Sequence, residues 1–184
     1  MQNEQRIMLI DRNKAWWRVL LRFQRAIMFI SVVSVILLIS SGAVMRYVFK
    51  MDFYGIEDVT LVVAFWLYFI GGAYGSYSKN HVSAEVIPNY MKNKKSRNIV
   101  LIIKTVMTAT LNWIFTYWAF MLLMWGFERF GRTATLGIPL VIPQSALFIG
   151  MLLMSFYTTI YAIEDIMQFM KNNQTDLIMK KEVL

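Results

Sequence analysis

The chain has 184 residues, 58% of them hydrophobic, with no cysteine, a formal net charge of +8 and a mean hydropathy of +0.49. So apolar a composition is far from that of a soluble domain of this size, and the missing thiols exclude disulfides, thiolate metal sites and cysteine nucleophiles. Period-two alternation does not appear, which argues against a membrane barrel.

Four stretches carry no charge and are long enough to cross a bilayer: Ala26–Met45, Val59–Ser78, Thr105–Phe127 and Thr133–Ile163. A helix needs roughly 20 apolar residues to span the ~30 Å hydrocarbon core, and it satisfies its own backbone there. The remaining hydrophilic pieces are too short to bury a core of their own. The sequence therefore predicts an all-α integral membrane protein, one domain over residues 1–184, with spans at about 26–46, 58–78, 100–127 and 143–163.

Lysine and arginine are unevenly divided among the connections. Six precede the first span, two lie in 46–58, six in 79–104, two in 128–132 and three after 163, so the first, third and fifth segments hold fifteen of the nineteen. By the positive-inside rule both termini and the middle loop are cytoplasmic. The same distribution accounts for the basic charge without nucleic acid, which is not expected as a partner.

In chain order, residues 13–25 come first. On a helical wheel Lys14, Arg18, Arg22 and Arg25 form one stripe, opposite Trp16, Trp17, Val19, Leu20 and Phe23. This predicts an amphipathic arm lying in the headgroup region, anchored by Lys14, Trp16, Trp17, Arg18, Arg22 and Arg25 against membrane lipid. The alternative is a plain cytoplasmic extension of the first span. Ser40-Ser41-Gly42-Ala43 offers small residues for signal cleavage, but the apolar run is too long and its basic leader too extended for a signal peptide. The first span is read as retained.

The outer loop that follows carries Asp52, Glu57 and Asp58, the last two placed where the dipole of the second helix favours negative charge. Arg46 with Glu57 or Asp58 is a candidate ion pair across the outer ends of the first two helices. Gly71, Gly72 and Gly75 with Ser76 give spacings that admit a neighbouring helix backbone. The middle loop holds the lone His81, then Glu85, Pro88 and the run Lys92, Lys94, Lys95, Arg97, suited to orientation and anionic headgroups. Asn112 is the strongly polar amide of the third span, beside Trp113, Trp118 and Trp125. Pro139 and Pro143 interrupt the last charge-free run. Residues 133–142 are therefore expected as an outer re-entrant or surface segment, the span as beginning near Pro143, and 164–184 as a polar cytoplasmic tail.

No ionisable group lies in the middle of a span, where proton and ion pathways place theirs. One histidine cannot supply a pair of axial haem ligands, and no cluster of titratable groups suggests catalysis or a metal. The expectation is a non-enzymatic chain with no catalytic, cofactor or metal site, whose membrane surface is its output. A self-contained small four-helix transporter or channel is the alternative.

The order of several short motifs resembles the small membrane subunit, the Q component, of tripartite ATP-independent periplasmic (TRAP) transporters. They are Arg46-Tyr47-Val48-Phe49 at the end of span one, Glu57-Asp58 opening span two, and Trp66 through Gly71-Gly72-Ala73 to Lys79-Asn80-His81-Val82. Thr135-Leu136-Gly137-Ile138-Pro139 and Pro143 follow before the last span. The sequence departs from the family in having Tyr54 three places before Glu57, Asp58 as the second acid, and Leu140 after Pro139. The resemblance implies a small permease subunit in the bacterial inner membrane. Its transporter would import organic acids such as dicarboxylates or sialic acids on a sodium gradient. It further implies no cofactor in this chain, sodium sites in a large membrane subunit for which this chain is scaffold and anchor, and a periplasmic substrate-binding protein as second partner. The loop from Tyr47 to Asp58 and the segment Glu128 to Ile142 then become the candidate contact for that protein, with Arg129 and Arg132 meeting either its acidic groups or lipid phosphate.

Overall fold

A computed structural model describes residues 15–51, 54–78 and 94–182, with side chains described in these ranges apart from 94–98 and 172–182. It contains four helices: α1 Ala15–Tyr47, α2 Ile56–Tyr77, α3 Lys94–Arg129 and α4 Val141–Glu182. Each contains a segment long and apolar enough to cross a membrane, as the hydropathy pattern requires. Among the described residues the only β pairing is an isolated antiparallel bridge, Arg132 to Pro139.

The helices pack in the order α1, α2, α4, α3. Backbone proximity joins α1 to α2, α2 to α4 and α4 to α3, and no other pair among the described residues. Gly42 meets Ile56 at one end of the first contact while Trp17 meets Tyr77 at the other, so α1 and α2 are antiparallel. Contacts of Phe69 with Gly150 and of Tyr77 with Tyr161 make α2 and α4 parallel. The α3–α4 pair is antiparallel, running from Thr105 with Asp165 to Gly126 with Gln144.

The closest α2–α4 approach is at Gly150, where an added Cβ would lie 2.6 Å from Phe69 Cβ and 2.7 Å from its carbonyl oxygen. Ala73 and Ala146, both fully buried, belong to the same small-residue interface, which lets two backbones approach where no hydrophobic drive separates helix from lipid. The α3–α4 seam is instead polar. Asn112 Nδ2 donates to Thr158 Oγ1 (3.3 Å), Trp113 Nε1 to Thr159 Oγ1 (3.0 Å) and the Thr105 hydroxyl to Asp165 Oδ2 (3.0 Å). The hydroxyls of Thr116 and Ser155 lie 2.7 Å apart and are buried. Most of these hydroxyls also bond to a carbonyl of their own helix, so the seam satisfies its polar groups internally.

Two helices extend beyond the spans expected of them. Residues 15–25 do not break from the first span: α1 runs unbroken for 33 residues, because Ala15 to Ile27 holds no proline or glycine to stop it. The last helix likewise runs past Glu164-Asp165, where its span is expected to end. It continues to Glu182, and the 21 residues beyond Tyr161 reach ~32 Å past its contact with the end of α2. Carboxylates do not terminate a helix whose apolar residues keep recurring at helical spacing, as Ile163, Ile166, Met167 and Met170 do. Residues 133–142 form a tight, non-helical loop up to Leu140, and α4 begins at Val141, with Pro143 in its first turn where a missing N–H is harmless.

Candidate partner-docking surface

One end of the helix row, the end expected outside, carries two loops that the sequence places 77 residues apart, and one carboxylate joins them. Gly55 precedes α2 with φ 84°, a left-handed turn suited to glycine, and Glu57 and Asp58 occupy the first helical turn. Asp58 Oδ2 accepts the backbone N–H groups of Thr135 (3.1 Å) and Leu136 (2.7 Å). The loop amides hold the Asp58 carboxyl below its usual range, and Ile138 N–H donates to the Thr133 hydroxyl (3.0 Å). Backbone bonds from Thr133 to Ile138 (2.9 Å) and Leu140 to Gly131 (2.8 Å) close the loop, with Gly137 supplying a turn at φ 67°. Leu136 then seats over Gly55, where even a methyl group would come within 2.3 Å of its Cγ.

Around this junction the surface is aromatic and apolar. Tyr47, Val48, Phe49, Met51, Tyr54, Phe130 and Leu136 are all exposed. Arg129 ends α3 and Arg132 stands at the base of the loop, both exposed, so the structure places the two candidate arginines at the same end of the helix row as this junction. A cavity of about 880 Å³ opens between α1 and α2 just below, with Arg46, Tyr54, Glu57 and Thr135 at its polar end and Leu38, Ile39, Leu61 and Phe65 along its apolar walls. Arg46 and Glu57 thus share one cavity, whereas the carboxylate of Asp58 is engaged by the loop amides.

At the opposite end the candidate lipid anchors divide. Arg18, Arg22 and Arg25 are exposed, as is Trp16 at 49%, but Trp17 is only 3% exposed. It packs among Tyr77, Phe156 and Tyr157, which corrects its reading as an interface anchor. Gln24, 1% exposed, accepts a hydrogen bond from the Tyr157 hydroxyl (3.2 Å), so the face of residues 15–25 centred on Trp17, Leu21 and Gln24 belongs to the helix packing. Lys14, His81 and Lys92 lie outside the described residues, and Lys94, Lys95 and Arg97 fall in the first turn of α3.

The candidate packing glycines also divide. Gly72 faces α4, with Met154 Cε 2.5 Å from the position of an added Cβ, but Gly71 faces open space. Gly75 accepts a backbone bond from the Ser78 hydroxyl. Sequence reasoning missed Gly150, although Ala146-x3-Gly150 is a small-x3-small pattern. It also missed the Gln24–Tyr157 bond, for which nothing local is a signal.

Four membrane-length helices, with polar side chains turned to one another across the α3–α4 seam, define a multi-pass membrane protein. The family "Tripartite ATP-independent periplasmic transporters, DctQ component" matches residues 35–168, from the middle of α1 into α4. The chain belongs to that family, and is a small permease component of a TRAP transporter and a multi-pass inner-membrane protein. No curated protein matches it.

Proposed function

We propose that this chain anchors and holds fixed the large membrane subunit of a sodium-driven importer of organic acids, dicarboxylates or sialic acids among them. Its outer face helps dock the periplasmic binding protein. The observation that carries the reading is the helix row itself. Among the described residues the backbone of α3 approaches that of α4 alone and the backbone of α1 that of α2 alone, so long apolar walls are left for another membrane subunit. In this reading the sodium and substrate sites belong to the large subunit. Both termini are cytoplasmic in this reading, with Arg18, Arg22 and Arg25 toward inner-leaflet headgroups. Arg46 pairs across the α1–α2 cavity with Glu57, the acid that shares it.

The test is copurification with a tagged large subunit, followed by uptake in vesicles with and without this chain. The complex is expected to hold together, and uptake to require both membrane subunits and the binding protein. Solute accumulation in vesicles holding this chain alone would refute the proposal in favour of a self-contained transporter. Reversing Arg129 and Arg132 to glutamate is expected to weaken uptake at limiting binding protein while leaving assembly intact.

A further inference from the structure

We infer that Asp58 is a positioning residue for binding-protein docking: it clamps the α3–α4 loop onto the start of α2, so that the two outer loops present one preformed platform. This deepens the proposed docking role and rests on it.

The geometry supports it from two sides. The carboxylate oxygen gathers two consecutive amide donors, Thr135 and Leu136, from a loop that has little regular structure of its own. Hydrogen bonds to a charged acceptor are the strong ones, and two at one oxygen fix the loop in position and direction. Beside them Leu136 fills the space that Gly55 leaves by having no side chain, and the left-handed turn at φ 84° keeps that position to glycine. One polar and one steric contact, both made by adjacent residues of the same loop, hold it to the same turn of α2.

The parts so joined are those a soluble partner would meet first. Tyr54 lies next to Gly55 in the sequence and is 85% exposed, and Phe130 and Arg132 flank the loop on the other side. Aromatic and arginine side chains on a rigid support dominate protein recognition, because little conformational freedom is lost when they are covered. A loop released from Asp58 would keep its own backbone bonds but lose its seat on α2, and the partner would have to re-seat it at each encounter. The partner is a folded protein arriving from the outer side, and the cost of re-seating the loop would appear in its affinity, not in the transport step.

The experiment uses the complete transporter in vesicles, with uptake measured against the concentration of solute-loaded binding protein. Asp58→Asn and Leu136→Ala are compared with the unaltered chain, and recovery of the intact membrane complex is scored for each. Each variant is expected to raise KM for the loaded binding protein about tenfold, with kcat retained at saturation and the complex intact. Asp58→Glu, which keeps the charge, is expected to recover part of the loss. An unchanged KM in both variants, or a fall in kcat with unchanged KM, overturns the clamp. The charge reversal of Arg129 and Arg132 separates this inference from the docking role. If reversal raises KM and the Asp58 and Leu136 variants do not, docking stands and the clamp is wrong. If none of them moves KM, both fall.

Discussion

Replacing Gly150 by alanine should separate the two central helices. The new Cβ would sit 2.6 Å from Phe69 Cβ, 2.7 Å from its oxygen and 2.8 Å from its carbonyl carbon, and two of these atoms are backbone. An ordinary contact begins near 3.4 Å, so α2 and α4 must part by about 0.6–0.8 Å at their crossing. A gap of this size forfeits roughly a quarter to a half of the dispersion energy of the contacts it opens. Overpacking of this kind costs about 1–3 kcal/mol, and the better helix propensity of alanine returns about 1 kcal/mol. The control lies one helix away. Gly71→Ala meets nothing within 4 Å, so only the propensity gain remains, and Gly72→Ala meets the mobile Cε of Met154, which can swing aside. Unfolding of the purified chain in mixed micelles, followed by the fluorescence of its six tryptophans, should rank the variants Gly71→Ala, Gly72→Ala, Gly150→Ala from most to least stable. Gly150→Ala as stable as Gly71→Ala would refute the idea that backbone contact at this point sets the helix spacing.

Other outcomes follow from the buried polar contacts. Tyr157→Phe removes the bond to Gln24 and leaves a buried amide without its donor, a loss of about 1–3 kcal/mol, and adding Gln24→Leu should recover most of it in the same unfolding assay. Thr116→Val and Ser155→Ala should each destabilise by less than about 2 kcal/mol, with a double-mutant coupling near 0.6 kcal/mol; additive effects would mean that the hydroxyls do not interact. Because the chain has no cysteine, single replacements Lys50→Cys and Lys171→Cys report sidedness directly. An impermeant maleimide should label the first from outside intact cells and the second only after lysis.

The spans were legible because lipid imposes so strong a rule: charge-free runs of the necessary length fall inside all four helices. The loop at 133–140 was legible for a similar reason, since Pro139 and Pro143 interrupt an apolar run too long for one crossing. Helix limits were less so. Arg18, Arg22 and Arg25 read as a separate arm, yet a change of solvent along a helix does not bend it when the backbone has no reason to stop. Trp16 and Trp17 looked alike in sequence, and only the neighbouring tyrosines of α2 and α4 decide which is covered. Asp58 was read as a complement to the helix dipole or a partner for Arg46, because its amide donors lie 77 and 78 residues further on, beyond the reach of any local pattern.

The row α1, α2, α4, α3 has a final consequence. A palisade in this order keeps long flanks open to its surroundings, and its first and third posts lean together where Trp17 and Gln24 of the first meet Tyr157 of the third. In the role proposed for the chain, such a fence is the fixed support against which a second polypeptide would move.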